Sequence, residues 1–553
     1  MKQIKLLDCT LRDGGFVNNW EFGDIAIRDI ISRLDKAGVD IVEVGYLNDG
    51  VEFDMNRTLY PDVKAANKMF RNIKVEKSMV VAMIDFGDCS INRISPCEEV
   101  YLDGIRVTLK KNEIDDALAF CLMLKNLGYK VFVQPVSITA YSDAEILDLL
   151  AKVNVLNPYA LSIVDTYGLM IKKDLIRYFY LIDNNTNKDI LIGYHSHNNL
   201  QLAFSNCVEL LNESGVKRGI VLDTTLYGMG KSAGNAQTEL VANYLNTEFG
   251  TTYSINTMLN LIDLYIVPIY HNNPWGYKIE YFINAMNNCH PNYVQYLLEK
   301  NTLSIESINE IVSSIEKTKK LKYDERLIDG LYWKYQSTLI NDDKACEWLR
   351  ELINDRIILI ISPGATLNTH KKTILDFCEN NDPVVFSINF LPEDYPVNCL
   401  FVSNPRRYNS IIDYYTESKQ KPYILATSNI VQAAIPLDYI FNLSSLLNNE
   451  RQELLNSTLL FLRLLMKLGE KKVSICGFDG YSNSEENEYV SISLHTVLDE
   501  KEKIMQNEYI KKQVNIIRKN IEIDFITPSY YIEMENARFT PPPPPCLSDS
   551  TGF

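Results

Sequence analysis

Two stretches far apart in the sequence carry side chains suited to bind a metal ion. Arg12 and Asp13 follow a short apolar run, and His195 and His197 end another such run with one residue between them. Alternate residues of a β-strand point to the same face, so both imidazoles can reach one ion. Two imidazoles and a carboxylate leave coordination positions open for substrate and water, as a catalytic metal requires. The sequence therefore predicts a metal site of Asp13, His195 and His197, with a hydrogen-bonded histidine pair as the alternative.

The donor atoms limit which metal ions suit this site, and the neighbouring Arg12 indicates which reaction it could catalyse. Nitrogen and oxygen donors without a thiolate suit Mn²⁺ or Mg²⁺, with Co²⁺ and Zn²⁺ as further candidates, and Cys9 is expected to be a core residue. The guanidinium of Arg12 is permanently charged and planar, so it could stabilise the oxyanion of an enolate beside the metal. An ion pair with Asp13 or Glu43 is the alternative role of Arg12.

The elements that must position these residues alternate between strand and helix. Residues 26–38 have apolar side chains at helical spacing and end in Gly38, and similar helices end at Gly128 and Gly215. Apolar strands alternating with such helices indicate a parallel sheet, and eight units indicate a (β/α)8 barrel of about 250 residues. An open doubly wound sheet is the alternative. The eight predicted strands are 5–9, 41–45, 77–84, 104–109, 130–136, 161–165, 190–195 and 219–224.

Polar residues recur at or just past the ends of these predicted strands. The carboxyl ends of barrel strands form one rim, and that rim carries the active site. We therefore expect these side chains to converge. They are Arg12, Asp13, Glu43, Tyr46, Asp85, Gln134, Asp165, Thr166, His195, His197 and Asp223.

Beyond residue 250 the pattern changes. We predict a barrel over 1–250, a helical appendage at the barrel mouth over 251–345, and a second, Rossmann-like α/β domain over 350–535. Consecutive prolines favour polyproline II, so 541–553 is predicted to be a disordered tail. The strand patterns of the second domain are 356–361, 384–389, 399–403, 423–427 and 473–476.

Composition excludes several classes of function. The chain has 553 residues, a hydrophobic share of 46% and a net charge of −16, which indicate a globular protein that does not bind nucleic acid. No run of 18 apolar residues predicts a membrane span, and the N-terminus lacks the apolar core of a signal peptide. Eleven scattered cysteines without a CxxC pair favour reduced thiols, so we expect a cytoplasmic protein.

Four motifs in order resemble those of the DRE-TIM metallolyase superfamily, over about residues 1–245. They are Asp8-x-Thr10-Leu11-Arg12-Asp13-Gly14, Glu43-Val44-Gly45, His195-Ser196-His197-Asn198 and Ala233-Gly234-Asn235-Ala236. The resemblance implies that Asp13, His195 and His197 bind the metal, and that Asn235 does so as in some members. It also implies that Arg12 stabilises an enolate and that Glu43 completes the catalytic motif.

Within the superfamily the chain is most similar to the 4-hydroxy-2-oxovalerate aldolases. Asp165-Thr166-Tyr167-Gly168 resembles the aldolase stretch that contacts the pyruvate carboxylate, and Gln134 is a further substrate-binding candidate. The resemblance implies metal-dependent aldol chemistry on a 2-oxo acid and an aldehyde. Those aldolases carry a histidine where this chain has Phe16, so the base and the aldehyde are expected to differ. The substitute bases are Tyr46, Tyr277, His290 and Tyr293, of which we favour Tyr277 and His290.

The second α/β domain resembles the Rossmann-type domain of bacterial sialyltransferases more weakly. Gly364, Asn389, Asn404 and Asp479 follow predicted strands, and a glycine turn before a helix can receive phosphate. A nucleotide or nucleotide-sugar ligand is implied, with a non-catalytic interaction domain as the alternative.

The readings for the whole chain are a metal-dependent aldolase, an acyl-CoA-dependent Claisen enzyme, or a glycosyltransferase with the barrel as scaffold. A homo-oligomer is a further expectation.

Overall fold

The computed structural model divides the chain into two compact units. The first comprises residues 1–291 with 320–322, and the second 292–319 with 323–553. The boundary predicted at residue 345 falls inside the second unit, so the extent of the helical appendage and its place at the barrel mouth stay predictions. The residues described are 4–213, 218–300, 303–320, 322–337, 340–430, 435–448, 455–481, 489–490, 494 and 500–532. The predicted helix end at Gly215 and the predicted tail 541–553 lie outside them.

The first unit contains a closed parallel barrel, as predicted. Eight strands pair in the order β1-β9-β8-β7-β6-β5-β4-β2, and β1 pairs with β2 to close the ring. The short β3 pairs with the end of β2 outside the ring. The strands are β1 Ile4–Asp8, β2 Ile41–Leu47, β3 Leu59–Tyr60, β4 Met79–Asp85, β5 Gly104–Leu109, β6 Lys130–Pro135, β7 Ala160–Asp165, β8 Leu191–Ser196 and β9 Ile220–Thr224.

Helices surround this barrel because their apolar faces cover the outward side of the strands. The core outside the ring is formed largely by residues of both layers, such as Ile30 and Val42. Between β4 and β5 the described chain has only 3-10 turns, at Ile91–Arg93 and Cys97–Glu99. The longer helices are Asp24–Lys36, Ile114–Asn126, Asp143–Leu156, Lys172–Asn185, Ala203–Glu213 and Thr238–Phe249, followed by Ile255–Leu261, Val267–Asn272 and Ile279–Asn287.

The second unit contains an open, fully parallel sheet of seven strands in the order β14-β13-β12-β11-β10-β15-β16. The chain adds strands on one side of β10 and then crosses to the other side, which creates a switch point between β10 and β15. The strands are β10 Ile358–Ile361, β11 Val384–Ile388, β12 Cys399–Val402, β13 Tyr423–Thr427, β14 Tyr439–Phe441, β15 Lys472–Cys476 and β16 Glu522–Phe525. The helices with these strands include Asp343–Ile353, Lys371–Asn381, Pro405–Glu417, Ser457–Leu468 and Glu500–Ile517, after Pro291–Glu299, Ile305–Ser313 and Glu325–Ser337.

In the described ranges, we find no helix that is both long and apolar enough to cross a lipid bilayer.

Candidate metal centre

A charged layer lies directly above an apolar layer inside the barrel. Strand side chains alternate between the two faces, so residues two positions after an inward apolar residue also point inward. Glu43 follows Ile41, Gln134 follows Phe132 and Asp223 follows Val221 in this way. The apolar layer consists of Leu7, Cys9, Ile41, Val81, Phe132, Ala160, Leu191 and Val221, which confirms Cys9 as a core residue.

The three predicted metal ligands come together at the carboxyl ends of β1 and β8. Ligand atoms of Asp13, His195 and His197 lie within 4.8 Å of one another, and all three residues are buried. Nε2 of His195 is 3.5 Å from Oδ2 of Asp13. The two imidazole rings are nearly perpendicular, with centroids 5.3 Å apart. Nδ1 of His197 is buried and has no hydrogen-bond partner among the described residues, as expected of a residue that binds a metal ion.

Asn235 joins this cluster from the loop after β9. Its Nδ2 donates to Oδ1 of Asp13 at 2.9 Å, and its backbone pairs with that of His197. The backbone N–H of Lys231 also donates to Asp13 Oδ1, at 3.1 Å. Within the described part of the chain, Oδ1 of Asn235 is buried without a partner. A carboxylate, two imidazoles and an amide oxygen fit a divalent ion.

Burial and neighbouring charges set the protonation of the ligands. Burial alone would raise the pKa of Asp13, but the Arg12 guanidinium and the two imidazoles hold that pKa well below its usual range. Burial lowers the pKa of His197 to about 4. Asp13 is therefore a carboxylate and His197 a neutral imidazole near pH 7, which are the forms that bind metal.

Arg12 lies beside the ligands and is held from two sides. Its Nε donates to Oε2 of Glu43 at 2.8 Å, and Nη1 pairs with Asp13. Both alternative ion pairs considered for Arg12 are thus present. Its Nη2 is buried and has no partner among the residues described, so one donor remains for a ligand. Strand β2 shifts its register between Glu43 and Tyr46. Gly45 lies in this irregular part with φ +142°, and a Cβ there would lie 2.1 Å from Thr58 O, so the position requires glycine.

The three predicted substrate-binding residues differ in whether their side chains already have hydrogen-bond partners. Gln134 is buried, and its Nε2 has no hydrogen-bond partner in the described ranges. Both carboxylate oxygens of Asp165 accept backbone N–H groups of the next turn, from Leu169 and Met170, each at 2.9 Å. Oγ1 of Thr166 accepts the backbone N–H of Ser137 at 2.8 Å. Asp165 and Thr166 thus shape the loop beside His197, and their contact with substrate stays a prediction.

The candidate bases differ in their surroundings. Burial raises the pKa of Tyr46 well above its usual value, so its phenolate is disfavoured near neutral pH. Burial, with a smaller contribution from Lys231, lowers the pKa of His290, whose imidazole is therefore neutral near pH 7. Tyr277 is 56% exposed. Tyr293 is buried in the second unit, where its hydroxyl donates to Lys319 O at 3.0 Å.

Arg106 was not among the sequence-predicted site residues. It is fully buried on β5, with Nη1 3.0 Å from Glu43 Oε2 and Nη2 paired with Asp223 Oδ2. The signal was available, since an arginine interrupts the apolar run 104–109.

The four predicted nucleotide-binding residues line one cavity of the second unit. The cavity has a volume of about 270 Å³ and lies at the carboxyl ends of strands around the switch point. Asn389 donates from Nδ2 to Ser457 and accepts from Ser403 N at 3.1 Å. Asn404 accepts from Arg407 N at 3.3 Å. Asp479 accepts from Thr366 N at 2.8 Å, and a Cβ on Gly364 would lie 2.4 Å from that carboxylate.

The fold is a barrel that carries a buried donor cluster, a candidate metal centre, at the carboxyl ends of its strands, where barrel enzymes have their active sites. Residues 3–267, just under half of the chain, match the family model described as HMGL-like. The barrel is therefore that of a metal-dependent lyase.

Similar proteins include two enzymes and one solved structure. An oxaloacetate decarboxylase of Mycobacterium tuberculosis is 27% identical over 238 residues, covering 42% of this chain and 67% of the relative. A 4-hydroxy-2-oxovalerate aldolase of Roseiflexus castenholzii is 26% identical over 258 residues, covering 44% and 71%. The N-terminal domain of a candidate aldolase from Bacteroides vulgatus is 25% identical with a TM-score of 0.48, covering 55% of this chain and 99% of that chain.

Proposed function

We propose that the barrel is a divalent-metal-dependent aldolase that forms or cleaves a 4-hydroxy-2-oxo acid through the enolate of pyruvate. The observation that carries this proposal is Nη2 of Arg12, a buried donor without a partner among the described residues. The other guanidinium nitrogens contact Asp13 and Glu43, so the donor is held rigidly beside the metal ligands. A fixed, permanently charged donor in a dry site is suited to an oxyanion that forms during reaction.

The formal charges of the site also favour an anionic substrate. Two arginines, Arg12 and Arg106, face three carboxylates, Asp13, Glu43 and Asp223, which leaves one net negative charge when the histidines are neutral. A divalent ion changes this balance to one net positive charge. The carboxylate of a 2-oxo acid then neutralises the site, which lowers the cost of burying the charges together.

Asp13, His195 and His197, with Asn235 as a further oxygen donor, would hold the ion, which when bound polarises the keto group as a Lewis acid. In the cleavage direction, a base takes the proton of the 4-hydroxyl group, and the bond between C3 and C4 breaks to release the aldehyde. The electron pair of that bond becomes the enolate, whose oxygen accepts a hydrogen bond from Arg12 Nη2. A proton added at C3 completes pyruvate, and aldol formation is the reverse.

Two further roles complete the proposal. Gln134 offers a buried amide donor that suits the substrate carboxylate. His290 is our first candidate for the base, because its lowered pKa leaves it able to accept a proton near pH 7. Tyr277 is the second candidate.

Two related reactions can be distinguished by their products. Decarboxylation of a 2-oxo-4-carboxylate, as in the reaction that names the mycobacterial relative, would pass through the same enolate but release CO₂. A Claisen condensation would release free CoA thiol. Purified protein is therefore assayed with each substrate class for pyruvate, CO₂ and thiol.

The direct test is exchange of pyruvate methyl protons in D₂O, followed by ¹H NMR with Mg²⁺, with Mn²⁺ or with chelator. We expect metal-dependent exchange that is lost in His195→Ala. Arg12→Lys should slow it by about 10²–10³-fold, because an ammonium lacks the fork that contacts two carboxylates and a substrate at once. Arg28→Lys, in a partly buried pair with Asp24 on the helix Asp24–Lys36, is the control. Exchange that survives chelation, or that Arg12→Lys leaves unchanged, would refute the proposal.

We further propose that the cavity of the second unit binds a nucleotide or nucleotide-sugar. The supporting observation is that Gly364, Asn389, Asn404 and Asp479 line one cavity, although they come from four separate strand ends. Calorimetric titration of the full chain with CMP and UDP tests it. Binding that Asn389→Ala weakens at least tenfold, and the exposed Asn381→Ala does not, is the expected result. Absence of heat with either nucleotide would favour the non-catalytic interaction domain.

A further inference from the structure

One buried arginine connects the two sides of the metal centre. Arg106 lies at the middle of the charged layer, on β5, with its side chain fully buried. Its Nη1 is 3.0 Å from Oε2 of Glu43 on β2, and its Nη2 pairs with Oδ2 of Asp223 on β9. The two carboxylates that it bridges each contact a different functional group.

Asp223 contacts the ligand His195. Its Oδ2 is 3.1 Å from Nδ1 of the imidazole, while Nε2 of the same ring faces Asp13 at 3.5 Å. A carboxylate acceptor at Nδ1 keeps the hydrogen on that nitrogen. The lone pair of Nε2 is then directed at the metal position, and the ring cannot rotate away.

Glu43 contacts Arg12 in the same manner. Its Oε2 accepts a hydrogen bond from Arg12 Nε at 2.8 Å and also lies 3.0 Å from Arg106 Nη1, an ion pair that lacks hydrogen-bond geometry. This contact fixes the plane of the Arg12 guanidinium, and therefore the direction of its unpartnered Nη2. Glu43 and Asp223 are both fully or nearly fully buried. Two buried carboxylates without a cation between them would repel each other.

We infer that Arg106 is a positioning residue that couples the orientation of Arg12 to that of His195. Only a planar fork with several donors can engage both carboxylates at once, so lysine cannot replace it. The part that concerns Arg12 and the enolate rests on the proposed aldolase reaction. The part that concerns His195 and metal affinity does not.

The experiment uses the full chain stripped of metal, and it measures metal binding and the tautomer of His195. Mn²⁺ affinity is obtained from electron paramagnetic resonance of the free ion. The tautomer of His195 is obtained from ¹⁵N shifts of the imidazole nitrogens, assigned by comparison with His195→Ala. Circular dichroism verifies that each variant is folded.

We expect Arg106→Lys to raise the Mn²⁺ dissociation constant by about 10–100-fold and to convert His195 from the Nδ1–H tautomer to a mixture. Glu43→Gln should reduce pyruvate proton exchange, with a smaller effect on Mn²⁺. Arg218→Lys is the matched control, because Arg218 is only 2% exposed and pairs with Asp183, yet it precedes β9 at the opposite end of the barrel. It should lower stability and leave Mn²⁺ affinity unchanged.

A second pair of variants keeps the test decisive if Arg106→Lys does not fold. Asp223→Asn retains an oxygen that Arg106 and His195 can share, whereas Asp223→Ala removes it. We expect Mn²⁺ affinity to decrease in the order wild type, Asp223→Asn, Asp223→Ala. Unchanged Mn²⁺ affinity and an unchanged His195 tautomer in Arg106→Lys, or in both Asp223 variants, would overturn the inference. A third outcome is that the variants lose Mn²⁺ affinity while the wild type shows no pyruvate exchange. That outcome would support the role of Arg106 in metal binding and would refute only the aldolase proposal.

Discussion

Nδ2 of Asn235 donates to Oδ1 of Asp13 at 2.9 Å, and this contact orients the whole amide. The other amide atom, Oδ1, is buried without a partner in the described part of the chain. A side-chain amide whose nitrogen is fixed on one ligand presents its oxygen to the space that the other ligands share. Asn235 is thus placed to add an oxygen donor to Asp13, His195 and His197.

Replacement of Asn235 should weaken metal binding more than the loss of one neutral contact would suggest. Asn235→Ala removes an oxygen donor and also frees Asp13 Oδ1 from one of its two hydrogen bonds. We expect a rise of about tenfold or more in the Mn²⁺ dissociation constant, measured by paramagnetic resonance. Asn154→Ala, which removes an amide bonded to Asn185 O on the barrel exterior, should not change it. Equal affinities in the two variants would exclude Asn235 from the site.

Gly230 provides a steric test of the same site. A Cβ at this residue would lie 2.1 Å from Asn235 Nδ2 and 2.6 Å from Asp13 Oδ1, so the loop or the ligands must move. Gly230→Ala should therefore lower Mn²⁺ affinity at least tenfold. Gly330→Ala is the control, because Gly330 lies in the helix Glu325–Ser337 with open space around its Cβ position. That variant should bind Mn²⁺ normally and gain slightly in stability.

The barrel could be predicted from sequence because fully buried parallel strands are continuous apolar runs. All eight predicted strands are found, each within two residues at both ends, as the pair 104–109 and Gly104–Leu109 illustrates. The strands Tyr439–Phe441 and Glu522–Phe525 were not predicted. Both lie at edges of the second sheet, and both are short. In the latter, charged and apolar residues alternate, so no apolar run marks it.

The metal ligands could be predicted because their residue types and spacing identify them within a short stretch of sequence. The residues that hold these ligands in place could not be predicted in this way. The contact between Arg106 and Asp223 joins residues 117 positions apart, and only closure of the barrel brings them together. For Asp165, the motif implied contact with substrate, which stays a prediction, and the structure adds that its carboxylate accepts the backbone N–H groups of Leu169 and Met170. Such local hydrogen bonds have no signature in the spacing of residues.

The second unit should become less stable as pH rises, because Asp479 is buried. Burial raises the pKa of this carboxyl to about 6, above the value of about 3.9 for an unfolded chain. Well below pH 4 the group is protonated in both states and costs nothing. Between pH 4 and pH 7 the unfolded state ionises more readily, so about 2 kcal/mol of stability is lost.

The measurement compares wild type with Asp479→Asn by urea unfolding of the full chain between pH 4 and pH 7, followed by a probe of the second unit. The asparagine cannot ionise, so the difference in free energy of unfolding should shift in its favour by about 2 kcal/mol over this range. The slope is the test, since loss of the Thr366 contacts adds an offset that does not depend on pH. A difference that is constant with pH would contradict the assignment of a raised pKa.

Phe16 provides the sharpest test of the resemblance to the hydroxyoxovalerate aldolases. It is 41% exposed and packs edge-on against Trp20, with ring centroids 4.8 Å apart, while Lys231 Nζ lies 5.2 Å from its ring. An imidazole of similar shape can occupy this position without disturbing the core. If a histidine here relays the proton of the 4-hydroxyl group, Phe16→His should gain a general base for that proton, which the wild type transfers with another residue.

We expect Phe16→His to cleave 4-hydroxy-2-oxovalerate at least tenfold faster than Phe16→Leu, because a positioned general base contributes about 10²–10⁴-fold. The gain should appear as pH rises through about 6.5, where an ordinary imidazole loses its proton. Pyruvate formation is followed with a coupled lactate dehydrogenase assay from pH 5.5 to pH 8. Exchange of pyruvate methyl protons should be the same in both variants, since that step uses Arg12 and the metal ligands and not the 4-hydroxyl group. Equal cleavage by the histidine and leucine variants at every pH would mean that the substrate hydroxyl does not reach Phe16, and that the acceptor aldehyde binds elsewhere at the barrel mouth.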